Sequence, residues 1–247
     1  MKDLTIVYYT ASRIAKKGAD KVRQHLLETT KGEIPIISVS QEPLDFGKNI
    51  CVGDIGQWKY NIWKQALIGT KEVKTKYVAC CEDDTLYNYE HFTYRPIDGR
   101  FAYDCNIWFC DPTIFWRRPL IDGLKYVDGS PCPSYSNRSG MFGFISRTED
   151  LIDALVPRFE EFPVRNENPR SASEPGFSDS RYYPKGAMKL EYFEGKKPLL
   201  VFRQENSLGK FRFKTFRGSY IDPSYQAKEL EPFGEASAFL NDYWKLT

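Results

Sequence analysis

The first eighty residues alternate strand and helix patterns, and that alternation limits the fold more than any other feature. Leu4-Thr5-Ile6-Val7-Tyr8-Tyr9 reads as a strand, and Thr10-Ala11-Ser12-Arg13 as a small polar turn. A helix follows with Ala15, Ala19, Val22 and Leu26 on one face, ended by Gly32. Ile34 to Val39 is a second strand, and Gln41 to Gly56 a loop. A second helix starts near Gln57, with Trp58, Ile62 and Ala66 on one face and Trp63 and Leu67 beside them. Lys76 to Cys81 is the third strand. Strand, helix, strand, helix, strand predicts an α/β fold with right-handed crossovers and a mainly parallel sheet.

The second half is less regular. Phe101 to Asp104 and Ile107 to Cys110 read as strands, partly antiparallel, and Gly140 to Ile145 as a strand interrupted by glycine. Ser146-Arg147-Thr148-Glu149 has the spacing of a capping box for a helix carrying Leu151, Leu155 and Phe159. Pro157 is expected to kink or end that helix. Residues 164–186 form a long loop rich in Pro, Ser, Asn and Gly, and such loops often serve function. Leu199 to Phe202 is a strand, and Glu235 to Leu246 a short helix. The length of 247 residues suits a single domain, with residues 1–95 as one half and 96–247 as the other.

A net charge of +2 argues against a general nucleic-acid coat. Between Lys196 and Gly218, however, seven basic residues face one acid, Glu205, and a local basic stretch suits phosphate. Aromatic residues make up 15% of the chain, so flat rings are available for stacking on sugars or bases. The six cysteines show no ligand spacing for zinc, and Cys80 and Cys81 read as small core residues. No apolar run approaches the ~20 residues of a membrane span, and Met1-Lys2-Asp3-Leu4 has no leader pattern. Reduced thiols and a cytoplasmic location are the expectation.

Glu82-Asp83-Asp84 stands at the exit of the apolar run Tyr77 to Cys81. Three carboxylates there are costly unless something wants negative charge, and hard divalent cations take oxygen ligands. In open α/β sheets ligands also gather at the carboxyl ends of strands. The triplet resembles the DxD-type motif of GT-A fold glycosyltransferases. Gly56-Gln57-Trp58-Lys59-Tyr60-Asn61, with Ala66 and then Lys76-Tyr77-Val78, is similar to the helix and strand that precede that motif in family-2-like members. The resemblance covers residues 4–90 most clearly. It departs from the family's usual pattern in having Lys59 where an arginine is more common.

The resemblance implies a GT-A-like, Rossmann-like fold with an irregular C-terminal acceptor region, and a nucleotide-sugar donor such as a UDP-sugar. It implies Mn²⁺ or Mg²⁺ on Asp84 and Glu82, with Glu82 also facing ribose or sugar and Asp83 between them. Thr10, Ser12, Arg13 and Lys59 would lie near the nucleotide. The late histidine such families often carry is absent, so Asn206 or Glu205 is the substitute metal ligand, and Lys210 and Arg212 would hold phosphate. An inverting transferase also needs a base for the acceptor hydroxyl. Asp179 is the first candidate, with Glu174 and Asp111 as competitors. The acceptor is a glycan, a lipid-linked sugar or a modified nucleic acid. A nucleotidyltransferase acting on sugar phosphates would want glycine in the first loop, and Thr10 to Arg13 contains none. A non-catalytic carbohydrate-binding protein would need neither the acidic strand exit nor the basic segment. Asp45-Phe46-Gly47 has no kinase companions, and His25 lies away from the apolar face of its helix, as a surface residue would.

Overall fold

The computed structural model describes residues 1–14, 16–57, 59–110, 134–136, 140–161, 174–176, 189–202 and 229–235. β1 (Leu4–Thr10) leads into α1 (Lys16–Thr30), then β2 (Ile36–Ser40), β3 (Lys48–Cys51) and α2 (Lys59–Lys71). β4 (Tyr77–Glu82) is followed by β5 (Thr85–Leu86), β6 (Arg100–Asp104), β7 (Ile107–Cys110) and β8 (Ser134–Ser136). β9 (Phe144–Arg147) and α3 (Thr148–Glu161) come next, then β10 (Lys189–Phe193), β11 (Leu199–Phe202), β12 (Glu229–Leu230) and β13 (Gly234–Glu235).

Seven strands make the main sheet, in the order β3-β2-β1-β4-β9-β6-β10. Six run the same way, and β9 alone is antiparallel, to both β4 and β6. The fold is therefore mixed α/β with a large, mainly parallel central sheet flanked by helices. A second sheet, β5-β11-β7-β8, lies beyond the end of β4. Each face of the main sheet buries its own apolar cluster. Val7, Val39, Val78, Cys80, Tyr103 and Phe144 pack against Trp63, Ala66 and Leu67 of α2 and Leu151, Ala154 and Leu155 of α3. Ile6, Tyr8, Ala79, Cys81 and Ile145 pack on the opposite side with Leu26 of α1, Tyr87, Phe92 and the second-sheet residues Ile107, Leu199 and Val201. Full burial of such a side chain is worth about 1.5–3 kcal/mol, so the two clusters fix which way the sheet faces.

Several sequence expectations shift. Residues 41–56 are not one loop, because Lys48–Cys51 forms the edge strand β3 beside β2. The turn into it uses Gly47 at φ +59°, where a Cβ would collide with the Ile36 carbonyl oxygen. Residues 140–145 are not a continuous strand: Met141–Gly143 forms a 3-10 turn and β9 begins at Phe144. Ser146 is not a helix cap, since it lies within β9 and its hydroxyl bonds the Arg147 carbonyl. α3 continues through Pro157 to Glu161, and Arg158 just past the proline is buried with its guanidinium 5.9 Å from the Trp63 ring. α1 and α2 bury their expected faces, and Gly32 follows α1 with its N–H on the Leu27 carbonyl. Ala15, Trp58 and most of the expected C-terminal helix lie outside the described residues, with Glu235 itself closing β13.

Candidate functional site

Strand order creates the site. From β1 the chain moves to β2 and β3 on one side, then returns to place β4 on the other side of β1. Such a switch point opens a crevice at the carboxyl ends of the two strands, where ligands bind in open α/β sheets. Thr10 ends β1 and Glu82 ends β4, and the pair Tyr9–Glu82 closes the register between them. The first loop and the acidic triplet, 73 residues apart, thus become neighbours.

Pleat alternation sends the acids in different directions. Glu82 projects to the α2/α3 face, where the 3%-exposed Tyr9 donates its hydroxyl to Glu82 Oε1 at 3.0 Å. Asp83 turns to the α1 face, where the Thr10 hydroxyl donates to its Oδ2. Asp84 is buried against β5, and its Oδ1 accepts the Thr85 hydroxyl at 3.3 Å. The backbone is tied down as well: Glu82 N–H donates to the Tyr87 hydroxyl at 2.9 Å, and Phe202 N–H to the Asp84 carbonyl at 2.7 Å. Glu82 and Asp83 are half-buried at the rim. Burial pushes the Asp83 carboxyl up to about 6, against the lowering pull of Thr10 and the Arg23 guanidinium. Burial and then the charges of Glu82 and Asp83 push Asp84 well above the usual carboxylate range.

The first loop is shaped to face this edge. Ser12 sits at φ 56°, and its N–H donates to the Thr10 hydroxyl oxygen at 2.8 Å. Arg13 reaches across to Asp54 in the loop after β3, at 2.8 Å, and holds that carboxyl below its usual range. Two buried amides of α2 organise the same rim. Gln65 donates to the carbonyls of Thr10 at 2.9 Å and Val39 at 2.8 Å, joining the ends of β1 and β2. Asn61 donates to the carbonyls of Ile55 and Gly56, and Gln41 makes a reciprocal pair with the Gly56 backbone.

Among the predicted residues, Thr10, Ser12, Arg13, Glu82, Asp83 and Asp84 come together here. Lys59 opens α2. Glu174 lies in a described tripeptide over the α2/α3 face, near enough to Cys80 that it and Glu82 both raise that thiol, behind the larger effect of burial. Asp179, Asn206, Lys210 and Arg212, with their competitors Asp111 and Glu205, lie outside the described residues. Tyr9, Asp54 and Gln65 were not predicted. The signal for Gln65 was present: Asn61 and Gln65 stand one helical turn apart among the apolar residues of α2. His25 is not simply a surface residue, because its Nε2 bonds the Tyr87 carbonyl at 2.7 Å.

The oxygen-only donor set suits a hard divalent cation. Mg²⁺ in particular is commonly held by one or two carboxylates, with phosphate oxygens and water completing the shell. Among the described residues no three His, Cys, Asp or Glu side chains converge as a self-sufficient metal site. No described helix is long and apolar enough to cross a membrane.

No protein family's sequence profile matches the chain, and no curated protein does. Among solved structures, the bifunctional IspDF from Campylobacter jejuni is similar over 79% of this chain and 50% of its own, with 11% identity and a TM-score of 0.41. The chain thus spans half the length of that protein. A glycosyltransferase involved in glycosylation of the major capsid of PBCV-1 is similar over 77% of this chain and 81% of its own, at 12% identity and a TM-score of 0.38. Staphylococcus aureus TarS 1-349 is similar over 82% of this chain and 60% of its own, at 12% identity and a TM-score of 0.41. Likenesses this distant say nothing of activity, for which the chain's own strand order and contacts are the ground.

Proposed function

We propose that the protein is a glycosyltransferase that takes a sugar from a nucleotide-sugar donor, a UDP-sugar in the first instance, and passes it to an acceptor hydroxyl. One observation carries this reading: the acidic triplet and the Thr10–Arg13 loop meet at the switch point between β1 and β4. A nucleotide lying along that edge would meet the first loop, the Asp54 loop and the start of α2. Its diphosphate would reach the acids. Asp84 and Glu82 would hold Mn²⁺ or Mg²⁺, with Asn206 as a further ligand, and the ion would offset charge on the leaving diphosphate. Asp83 is braced by Thr10, and Glu82 by Tyr9, so their carboxylates are pre-oriented before the donor arrives.

The transfer needs a base on the acceptor side. Glu174 and Asp179 are the candidates, and Glu174 stands on the same sheet face as Glu82. The base takes the proton of the acceptor hydroxyl, whose oxygen bonds the anomeric carbon. The bond from that carbon to the diphosphate oxygen breaks, and the diphosphate leaves with the electron pair. Lys210 and Arg212 are proposed as its cationic partners.

A panel of nucleotide-sugars with Mn²⁺, scored by nucleoside diphosphate release, tests the reading. Release is expected with at least one donor and is lost in Asp84→Ala. Pyrophosphate release from a nucleoside triphosphate and a sugar phosphate would instead establish a nucleotidyltransferase. A protein that shows neither release nor a thermal shift with any donor is not a transferase of this kind.

A further inference from the structure

Two loops rise side by side at the carboxyl edge. Thr10, Ser40 and Cys51 pair in one row across β1, β2 and β3, so the first loop and the loop of residues 52–56 flank the end of β2. An ion pair ties them together, with Arg13 donating to Asp54 Oδ2 at 2.8 Å. Both loops are also anchored from below by buried amides of α2. Gln65 holds the Thr10 carbonyl at 2.9 Å, and Asn61 holds the carbonyls of Ile55 and Gly56. Arg13 and Asp54, by contrast, have side chains 43% and 69% exposed.

The anchors are strong and the tie is weak. An exposed ion pair is worth a factor of about five at most, and salt screens it. Breaking it leaves the buried anchors of both loops intact. The backbone before Arg13 is fixed as well: Ser12 is held at φ 56°, uncommon for a residue with a Cβ, by its N–H on the Thr10 hydroxyl oxygen. The adjustable part of this loop is therefore the Arg13 side chain. The same Thr10 hydroxyl donates to Asp83, so one short loop brings a cation to the acidic edge.

We propose that Asp54 is an internal stand-in for the donor: its carboxylate holds Arg13 until a phosphate of the nucleotide displaces it. The proposal rests on the transferase reading above and adds a self-blocking contact to the same site. Carboxylate and phosphate oxygens satisfy a guanidinium in the same way, so one can replace the other on Arg13. The sign of the effect sets this role apart. A stand-in weakens nucleotide binding, whereas an aspartate that touched the ribose or the base would strengthen it.

The test is titration calorimetry of nucleoside diphosphates, UDP first, with Mn²⁺. Wild type, Asp54→Asn, Arg13→Gln and the double variant are compared, with a thermal melt of each. Asparagine keeps an oxygen for the Gly56 N–H, which Asp54 Oδ1 accepts at 3.0 Å, and removes the charge. Asp54→Asn is expected to bind the nucleotide about threefold to fivefold tighter, up to the factor an exposed ion pair can hold. Arg13→Gln binds about tenfold more weakly, as loss of a charged hydrogen bond implies. On the Arg13→Gln background Asp54→Asn changes Kd by less than about 1.5-fold, because no guanidinium is left to release. Equal tightening on both backgrounds reports only a general loss of negative charge and overturns the stand-in. So does an Asp54→Asn protein that binds as wild type does, or more weakly. In those cases the nucleotide still binds and the transferase reading stands. Failure of all four proteins to bind any nucleoside diphosphate defeats that reading, and the stand-in with it.

Discussion

Tyr9→Phe isolates the contact that joins the two strands of the crevice. The ring is buried and stays in place, so the core loses no volume; only the hydroxyl on Glu82 goes. Burial raises the Tyr9 hydroxyl well above 10, so it is a donor at every working pH. Hydrogen bonds to charged groups contribute about 1.5–3 kcal/mol, and half-buried Glu82 can recruit water in exchange, which points to the low end, about 1.5 kcal/mol. For a chain of this length that is a fall of about 3–6 °C in melting temperature. A double-mutant cycle with Glu82→Ala, followed by urea denaturation, should return most of it as coupling energy. If orientation of Glu82 matters only when the donor reacts, kcat/KM falls by at most about tenfold. A Tyr9→Phe protein within about 0.3 kcal/mol of wild type, with no coupling to Glu82, would refute the bracing of the acids by β1.

Packing at one helix glycine and the titration of one half-buried histidine give two more predictions. At Gly69 in α2 a Cβ would stand 2.5 Å from Val7 Cγ1 and 3.0 Å from Val39 Cγ2. Overpacking of about 1–3 kcal/mol therefore outweighs the helix-propensity gain of just under ~1 kcal/mol, and Gly69→Ala should lower the urea midpoint. His25 has its pKa depressed below 6.5 by burial. The unfolded chain then binds the proton more readily, so the stability His25 contributes is complete above pH 6.5 and is lost as pH falls toward its folded value. Between about pH 7 and 5, wild type should lose more stability than His25→Gln. The raised carboxyls Asp83 and Asp84 act in the opposite direction, but equally in both proteins, so the difference reports on His25; parallel curves would refute the assignment.

The regular half of the fold was legible because its hydrophobic periods are long and unbroken. Leu4–Tyr9 and Tyr77–Cys81 are largely apolar and buried throughout, as central parallel strands are, and α1 buries Ala19, Val22 and Leu26 as its spacing requires. β3 was not legible, since Lys48-Asn49-Ile50-Cys51 is an exposed or half-exposed edge with no apolar alternation. Asn49 holds it in place through side-chain bonds to Ser38 and Ser40, at 2.9 Å each, which no local pattern encodes. The acids were legible as a group, but not their division between faces. That depends on register: Tyr9 meets Glu82 because Leu4 meets Tyr77, and pairing partners are a property of the sheet. Asp54 was hidden for a similar reason, since only folding brings it to Arg13.

Three consecutive carboxylates at one strand end would repel one another strongly if they shared a pocket. The sheet turns them in different directions and gives each a hydroxyl donor, Tyr9 for Glu82, Thr10 for Asp83 and Thr85 for Asp84, yet they stay close enough that Glu82 and Asp83 raise Asp84. Two of those donors come from β1, and the third opens β5, which pairs with β11. Neutral hydroxyls orient a carboxylate without supplying an opposing charge, so Asp84, buried and beside two other acids, is held well above the usual carboxylate range. Arg23 lowers Asp83 but ranks behind burial and the Thr10 hydroxyl, and it is shared with Asp20 on α1. A cation bound at this switch point would relieve that repulsion, as the proposed nucleotide-sugar reading requires.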